Sequence, residues 1–371
     1  MRLAVKKPKI ALVYDWLDTE YGGAEKLLLA LGKIFPEAPL YTSIYKPAAY
    51  HWTSRFKVVP SWVNKLPFVS RHELVAPLLP VAFESFDFRN FDLVISVSSA
   101  FAKGIITAPS TLHVCYCLTP TRFLWHEAQS YVSFNITNLG LKPLFSYLRT
   151  WDLTAAARPD IYVATSNAIA QKIQKLYHQN VQKIIFPPIE TDVFTPPVKP
   201  TPAADRDYFL LVSRLVPYKH VELAIKAFNQ LKYPLVIVGT GSESKKLKRI
   251  AGSNIRFEGN LPREKLISAY RGAKSLIIPQ EEDFGLVGLE ANACGTSVIA
   301  YGAGGYRETI ADGISGSFFS PQTPDALVGV VSNTDFSKYT PANCRRNTLR
   351  FSFPLFRRSW LEFLSGHAVF P

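Results

Sequence analysis

The residues best placed to do chemistry lie in one stretch, Gln280–Gly295, read as QEEDFGLVGLEANACG. Glu282 and Glu290 are separated there by seven residues. Were the intervening chain wholly helical, the two backbones would stand about 12 Å apart, beyond the roughly 5–9.5 Å that a hydrolytic carboxylate pair needs. Hydrolysis is therefore the weaker expectation, and a long ligand held at both ends the better one. Phe284, Gly285 and Leu286 open the predicted helix, so their backbone N–H groups and the positive end of the helix dipole would receive an anion, with Gly285 allowing phosphate to approach the chain. A carboxylate on either side of a diphosphate suits a nucleotide sugar, with hydroxyl groups at its hexose and at its ribose. Two cations come from Ser213–Lys219: Arg214 offers a planar fork for phosphate oxygens and Lys219 a point charge. A third loop, Gly302-Ala303-Gly304-Gly305, has the glycines for close backbone approach.

All three segments follow short apolar runs, which places them at the ends of strands. Lys9–Tyr14, Leu40–Ile44, Leu93–Val97, Val114–Leu118 and Ile161–Ala164 read as strands in the first half. Phe209–Val212, Leu235–Val238, Leu276–Ile278 and Ser297–Ala300 do so in the second, alternating with helical spacings such as Ala24–Ile34 and Val221–Leu231. Near-continuous apolar strands alternating with helices predict parallel sheets covered on both faces. Six of the 16 residues from Pro187 to Pro202 are proline, the composition of a stiff linker. The expected architecture is α/β: two Rossmann-like, doubly wound lobes facing a central cleft, with ligands at the C-terminal strand ends. The expected domains are 1–190 for an acceptor and 203–349 for a nucleotide-sugar donor, joined by 187–202, with a basic, aromatic helix in 350–371 packing back on the first.

The sequence resembles glycosyltransferase family 4, retaining enzymes of the GT-B fold. The segments that carry the resemblance are GGAEKLLLAL, SRLVPYKHVELAIKAF, EDFGLVGLEANACGTSVIA and GAGGYRETI, with FDLVISVSSAFAKG, CYCLTPTRFLW and RPDIYVATSNAIAQKI between them. They span roughly residues 9–330, and the N-terminal ones lean toward a mannosyltransferase-like branch. The resemblance implies that Arg214 and Lys219 neutralise the donor diphosphate, that Glu282 binds the transferred sugar and that Glu290 holds the ribose. It also implies that Gly22 and Gly23 approach donor phosphate or acceptor from the first lobe. It further implies metal-independent transfer of a hexose, such as mannose, from a GDP- or UDP-sugar to a glycan or lipid-linked acceptor. The departing phosphate would help to deprotonate that acceptor. Leu118 stands where relatives usually carry a histidine, which bears on the sugar site, and Gly288 replaces a common proline. His113, five residues before Leu118, reads as a structural histidine on its strand.

Composition fits a two-domain globular chain of 371 residues, with 47% hydrophobic and 19% charged residues. No apolar run reaches the length of a spanning helix and no signal peptide is read, so the expected location is cytoplasmic, with the inner membrane face as the alternative. Cys115, Cys117, Cys294 and Cys344 show no metal or disulfide spacing, so no metal site is expected. The net charge of +13 divides almost evenly, +6 over residues 1–195 and +7 over 196–371. That argues against a basic tail or arm but leaves open nucleic acid, an anionic membrane surface or a phosphorylated substrate. Residues 55–89 interleave Trp62, Phe68, Leu78, Leu79 and Phe83 with Lys57, Lys65 and Arg71, which suits either a core or a peripheral membrane contact. No nucleic-acid motif is present. Asp205-Arg206-Asp207 matches a metal-binding Asp-x-Asp but reads as a solvated linker, and His126-Glu127 lacks the second histidine of a zinc motif. The rival functions are a sugar-nucleotide epimerase, a phosphorylase and a non-catalytic basic binder of membrane surfaces.

Overall fold

The computed structural model describes residues 7–17, 22–47, 51–67, 69, 75–125 and 142–367. Phe68, Arg71 and the pair His126-Glu127 lie outside the described residues. The chain forms two compact units, Met1–Pro187 with Phe356–Pro371, and Pro188–Leu355.

The first unit is built on a parallel sheet of seven strands: β1 (Ile10–Tyr14), β2 (Leu40–Thr42), β3 (Val58–Pro60), β4 (Leu93–Ser98), β5 (Leu112–Cys117), β6 (Ile161–Ala164) and β7 (Val181–Ile184). Their order is β3-β2-β1-β4-β5-β6-β7. The central strand β4, LVISVS, is buried along its whole length, as a strand covered on both faces must be. On one face the core gathers Val13, Val94, Leu79, Phe83, Phe88 and Phe101. The Tyr41 ring meets Phe86 and Phe88 edge-on at 5.2 and 4.9 Å. The other face includes Cys115 and Cys117, two apart on β5 and therefore on one side of it. From Phe356 onward the helix Phe353–Ser365 belongs to this unit, where Trp360 is fully buried against Tyr116 of β5 at 5.2 Å.

The mixed segment 55–89 divides by burial. Leu79 and Phe83 are core, whereas Trp62 is 41% exposed, Leu78 39% and the neighbouring Val81 51%.

The second unit has a parallel sheet of six strands: β8 (Tyr208–Val212), β9 (Leu235–Val238), β10 (Ile255–Gly259), β11 (Ala273–Ile278), β12 (Ser297–Tyr301) and β13 (Gly316–Phe319). They are arranged β10-β9-β8-β11-β12-β13. Counted from β8, this repeats the 3-2-1-4-5-6 order of dinucleotide-binding sheets. Phe209, Leu211, Ile225, Phe228, Ile237 and Ile299 share one core cluster.

Asp205 and Asp207 are exposed, as a solvated linker implies, but Arg206 between them is not. It is 4% exposed and donates to the Ala273 carbonyl at 2.9 Å, Thr296 Oγ1 at 2.8 Å and the Thr201 carbonyl at 3.1 Å. A guanidinium with fixed donors can close several orphan carbonyls at once, which two flanking aspartates in the sequence conceal.

Candidate active site

In the second unit the direction of strand addition reverses between β8 and β11, which pair directly. Loops leaving the C-terminal ends of two such strands flank the crevice where open α/β sheets bind ligands. The loop after β8 carries Arg214 and Lys219, and the loop after β11 carries Gln280 and Glu282. Pro217 starts a short 3-10 turn, Pro217–Lys219, and His220 at φ 49° turns the chain into the helix Val221–Leu231. This turn brings Lys219 inward, to 9% exposure. Its Nζ forms an ion pair with Glu282 Oε1, and the Gln280 amide Nε2 donates to that same oxygen at 3.2 Å. Arg214 stays exposed, donating to the Tyr218 hydroxyl and lying 5.8 Å from the centre of the Tyr218 ring. Lys219 Nζ lies 5.0 Å from the same ring. The tyrosine thus holds two cations near each other through its negative ring face.

The Gly302–Gly305 loop serves Glu282 in a way that differs from the expected ligand approach. The Gly305 N–H donates to the Glu282 carbonyl at 2.7 Å, and Gly304 bridges Glu282 in parallel register. A Cβ on Gly304, whose φ is +60°, would stand 2.3 Å from the Glu282 carbonyl oxygen, and one on Gly305 2.5 Å from that of Asp283. The close approach that these glycines permit is therefore by the Glu282–Phe284 backbone. Gly285 is likewise required by its own surroundings. Its φ of +94° needs glycine, and a Cβ there would meet the Tyr306 ring at 2.4 Å.

Glu282 to Glu290 is not one continuous helix; the helix is Leu286–Ala293, with Gly285 at its N-cap and no side-chain cap. Its first-turn amides have no intrahelical acceptors, so the positive end of the helix opens beside Glu282. Phe284 turns its ring into the core, edge-on to Phe351 at 5.7 Å. Leu286 is partly buried. Glu290 lies inside the helix at 6% exposure and accepts from the Tyr270 hydroxyl at 3.0 Å. Burial together with the Glu290 charge holds the Tyr270 phenol well above its ordinary value, so it remains a donor. Tyr306 is raised likewise, by burial and by Glu282 and Glu290. The structure thus joins Lys219 to Glu282, and Arg214 to Tyr218, and gives Glu290 a partner of its own.

A groove of ≈ 260 Å³ lies alongside, lined by Val216, Pro217, His220, Glu222, Lys226 and Lys246, among others. Glu222 bridges Lys226 at 2.8 Å and Lys246 at 2.7 Å, and Glu243 pairs with Lys246 at 3.1 Å, so two carboxylates balance two lysines there. Neither Lys219 nor Glu282 lines it.

In the first unit Gly22 caps the helix Gly23–Ile34, and its N–H donates to Glu25 Oε2 at 2.9 Å. Glu25 Oε1 accepts from Tyr14 OH at 2.8 Å. The Gly22 amide is therefore engaged within the protein. At the corresponding reversal point, between β1 and β4, Asp15 accepts from the backbone N–H groups of Ser99, Ala100, Phe101 and Ala102 at 2.7–3.1 Å. Burial raises the Asp15 pKa, against these hydrogen bonds.

The sequence reading missed a buried polar network in this unit. Lys103 Nζ pairs with Asp152 Oδ1 at 2.5 Å and donates to Thr121 Oγ1 at 3.1 Å. Asp152 Oδ2 accepts from Trp125 Nε1 at 2.7 Å and Tyr177 OH at 2.9 Å. A lysine two residues after an apolar turn, in SSAFAKG, was the available signal, since buried charges require partners. His113 is fully buried, with Nε2 2.8 Å from Ser96 Oγ, and burial holds its pKa down at about 3. Leu118 is partly buried, its N–H donating to the Ser98 carbonyl at 2.8 Å.

Residues 196–335 match the family model described as "Glycosyl transferases group 1", a segment that holds Arg214, Lys219, Gln280, Glu282 and Glu290. The D-inositol 3-phosphate glycosyltransferase of Mycolicibacterium smegmatis is 29% identical over 178 residues, covering 43% of this chain and 41% of the relative. That of Frankia alni is 34% identical over 140 residues, covering 32% and 34%. The chain therefore spans less than half the length of these curated relatives. Among solved structures, the sucrose-phosphate synthase of Thermosynechococcus elongatus matches with a TM-score of 0.71 at 18% identity, over 97% of this chain and 99% of that one. Anabaena Alr3699/HepE in complex with UDP matches with a TM-score of 0.70 at 18% identity, over 97% and 100%. The likeness gives the fold, GT-B, with one parallel α/β sheet of seven strands and one of six.

Proposed function

From a chain whose second unit carries a group 1 glycosyltransferase segment, we propose a retaining glycosyltransferase that moves a hexose from a nucleotide diphosphate sugar to an acceptor hydroxyl. One observation carries the reading: Lys219 and Glu282 meet across the reversal point of the second sheet, beside an open helix N-terminus. A sugar hydroxyl and a phosphate can there be held side by side.

In this reading the backbone at Phe284, Gly285 and Leu286 receives the diphosphate. Lys219 has three N–H donors; Glu282 takes one, and the others remain for phosphate oxygens. Arg214 adds a second, exposed positive charge, and Glu290 serves the ribose side. The bond from the anomeric carbon to the phosphate oxygen breaks, and a bond from that carbon to the acceptor oxygen forms on the same face. The acceptor proton passes to the departing phosphate. Fixed charge and oriented amides favour the negative charge growing on that phosphate, so catalysis is electrostatic and needs no nucleophilic carboxylate. Arg214 and Lys219 supply the charge that a metal ion would otherwise carry.

For the donor, UDP-glucose is supported by the structural neighbour Anabaena Alr3699/HepE, which was also solved in complex with UDP-glucose. GDP-mannose rests on the mannosyltransferase-like N-terminal segments. A lipid-linked acceptor is favoured over a soluble glycan because Trp62, Leu78 and Val81 stand exposed, with exposed Lys57 and Lys65 nearby in the sequence. We keep Gly22 and Gly23 as the place of close approach to a ligand in the first unit: Gly22 allows it by having no side chain, its N–H being held by Glu25, and the amide of Gly23 at the helix start is the donor.

The test is sugar transfer from labelled UDP-glucose and GDP-mannose to a membrane extract in the presence of chelator. Wild type should transfer label from one donor into the solvent-extractable lipid fraction. Lys219→Ala and Glu282→Ala should each fall by at least about a hundredfold while staying folded. Wild-type turnover in either variant would remove the site assignment, a metal requirement would overturn the mechanism, and water-soluble product would overturn the acceptor class.

A further inference from the structure

Gln280 belongs to none of the roles assigned above, yet it is 4% exposed and hydrogen-bonded to the carboxylate at the centre of the site. Ionised Glu282 can only accept, so the amide must turn its NH2 side toward Glu282 Oε1. Its own carbonyl oxygen, Gln280 Oε1, is then buried and takes no hydrogen bond from any described residue. A buried acceptor without a donor is a standing penalty, one that a methionine or leucine of similar volume would not carry. An amide at this position therefore points to a use for its N–H.

Lys219 Nζ and Gln280 Nε2 both engage Oε1 of Glu282, while Oε2 accepts no hydrogen bond among the described residues. The two donors differ in what a ligand would do to them. A diphosphate would compete for the lysine, a point charge on a flexible stem. It would not compete for a buried, uncharged amide. Gln280 is thus the contact able to keep the carboxylate in place when Lys219 turns toward phosphate.

We propose that Gln280 is a positioning residue for sugar recognition: it pins Oε1 of Glu282 so that Oε2 is held ready to accept from a hydroxyl of the transferred sugar. The proposal rests on the nucleotide-sugar reading of the site. It separates the sugar contact from the nucleotide contact, since Gln280 touches only the former.

Calorimetric titration of wild type, Gln280→Met and Gln280→Asn with UDP against UDP-glucose, and with GDP against GDP-mannose, tests it. In both variants the sugar nucleotide should weaken about tenfold, the value of one charge-assisted hydrogen bond, while the free diphosphate binds within about twofold of wild type. The melting temperature of Gln280→Met should not fall, because its orphan carbonyl is gone. Equal loss for sugar nucleotide and free diphosphate, or no loss for either, overturns this inference and leaves the site reading standing. Wild type that binds neither pair of ligands overturns the site reading, and the inference with it.

Discussion

Lys219 and Glu282 illustrate what residue types and spacing can and cannot disclose. Both stand out in the sequence as ligand-binding groups, and the structure places them against each other. Their pairing through a shared oxygen with Gln280 was not legible, because an amide's role depends on which way it faces. The partner of Glu290, Tyr270, was equally hidden, lying twenty residues away on another helix. His113 reads from its strand as a structural histidine, and its full burial beside Ser96 agrees. Its folded pKa of about 3 lies below the 6.5 of an exposed imidazole. Below pH 6.5 the unfolded chain therefore binds a proton that the folded one refuses, and stability present above that pH is lost as pH falls toward 3. At pH 5 the loss should reach about 2 kcal/mol. Urea midpoints measured between pH 7.5 and 4.5 should fall more steeply for wild type than for His113→Gln; equal slopes would count against a buried neutral imidazole.

At the scale of elements, the apolar runs named from sequence coincide with β1, β2, β4, β5, β6, β8, β9, β11 and β12, all interior strands. The four that escaped notice, β3, β7, β10 and β13, are the edges. The physical reason shows in VQKI and IRFEG, the edge strands β7 and β10, whose charged residues face water. A strand covered on both faces announces itself by continuous hydrophobicity, whereas an edge strand mixes charge into its pattern. Glycines tell a similar story. Their clustering at 302–305 correctly marked a close approach, but the approaching group is the backbone of Glu282 and Asp283. Gly285→Ala tests this packing, because the substitution forces a positive φ and a contact with the Tyr306 ring. It should lower stability by about 1–3 kcal/mol and weaken UDP binding together with it, seen as a reduced melting temperature and a raised dissociation constant. A variant with wild-type values for both would show that the Gly285 turn does not shape the helix start.

For the molecule as a whole, the surplus of thirteen positive charges needs more than one explanation. Lys103 and Arg206 are buried, held by Asp152 in one case and by carbonyl and hydroxyl oxygens in the other. Lys219 is half of an ion pair, while Arg214 is exposed on a tyrosine ring. Among the described residues no helix is long and apolar enough to cross a membrane. Lys103 and Lys219 are each matched by a carboxylate and add nothing to the surplus, whereas Arg206, held by uncharged oxygens, and Arg214, on a tyrosine ring, are two of the cations that do. In the proposed function the loops after β8 and β11 bind a nucleotide sugar. A ligand that binds only the folded state raises stability by mass action, about 2.7 kcal/mol at a hundred times its dissociation constant. Thermal unfolding of wild type and Lys219→Ala with UDP-glucose or GDP-mannose measures this directly. Wild type should melt several degrees higher with one of these donors, and Lys219→Ala should change little. No shift with either donor in wild type, or an equal shift in the variant, would contradict it.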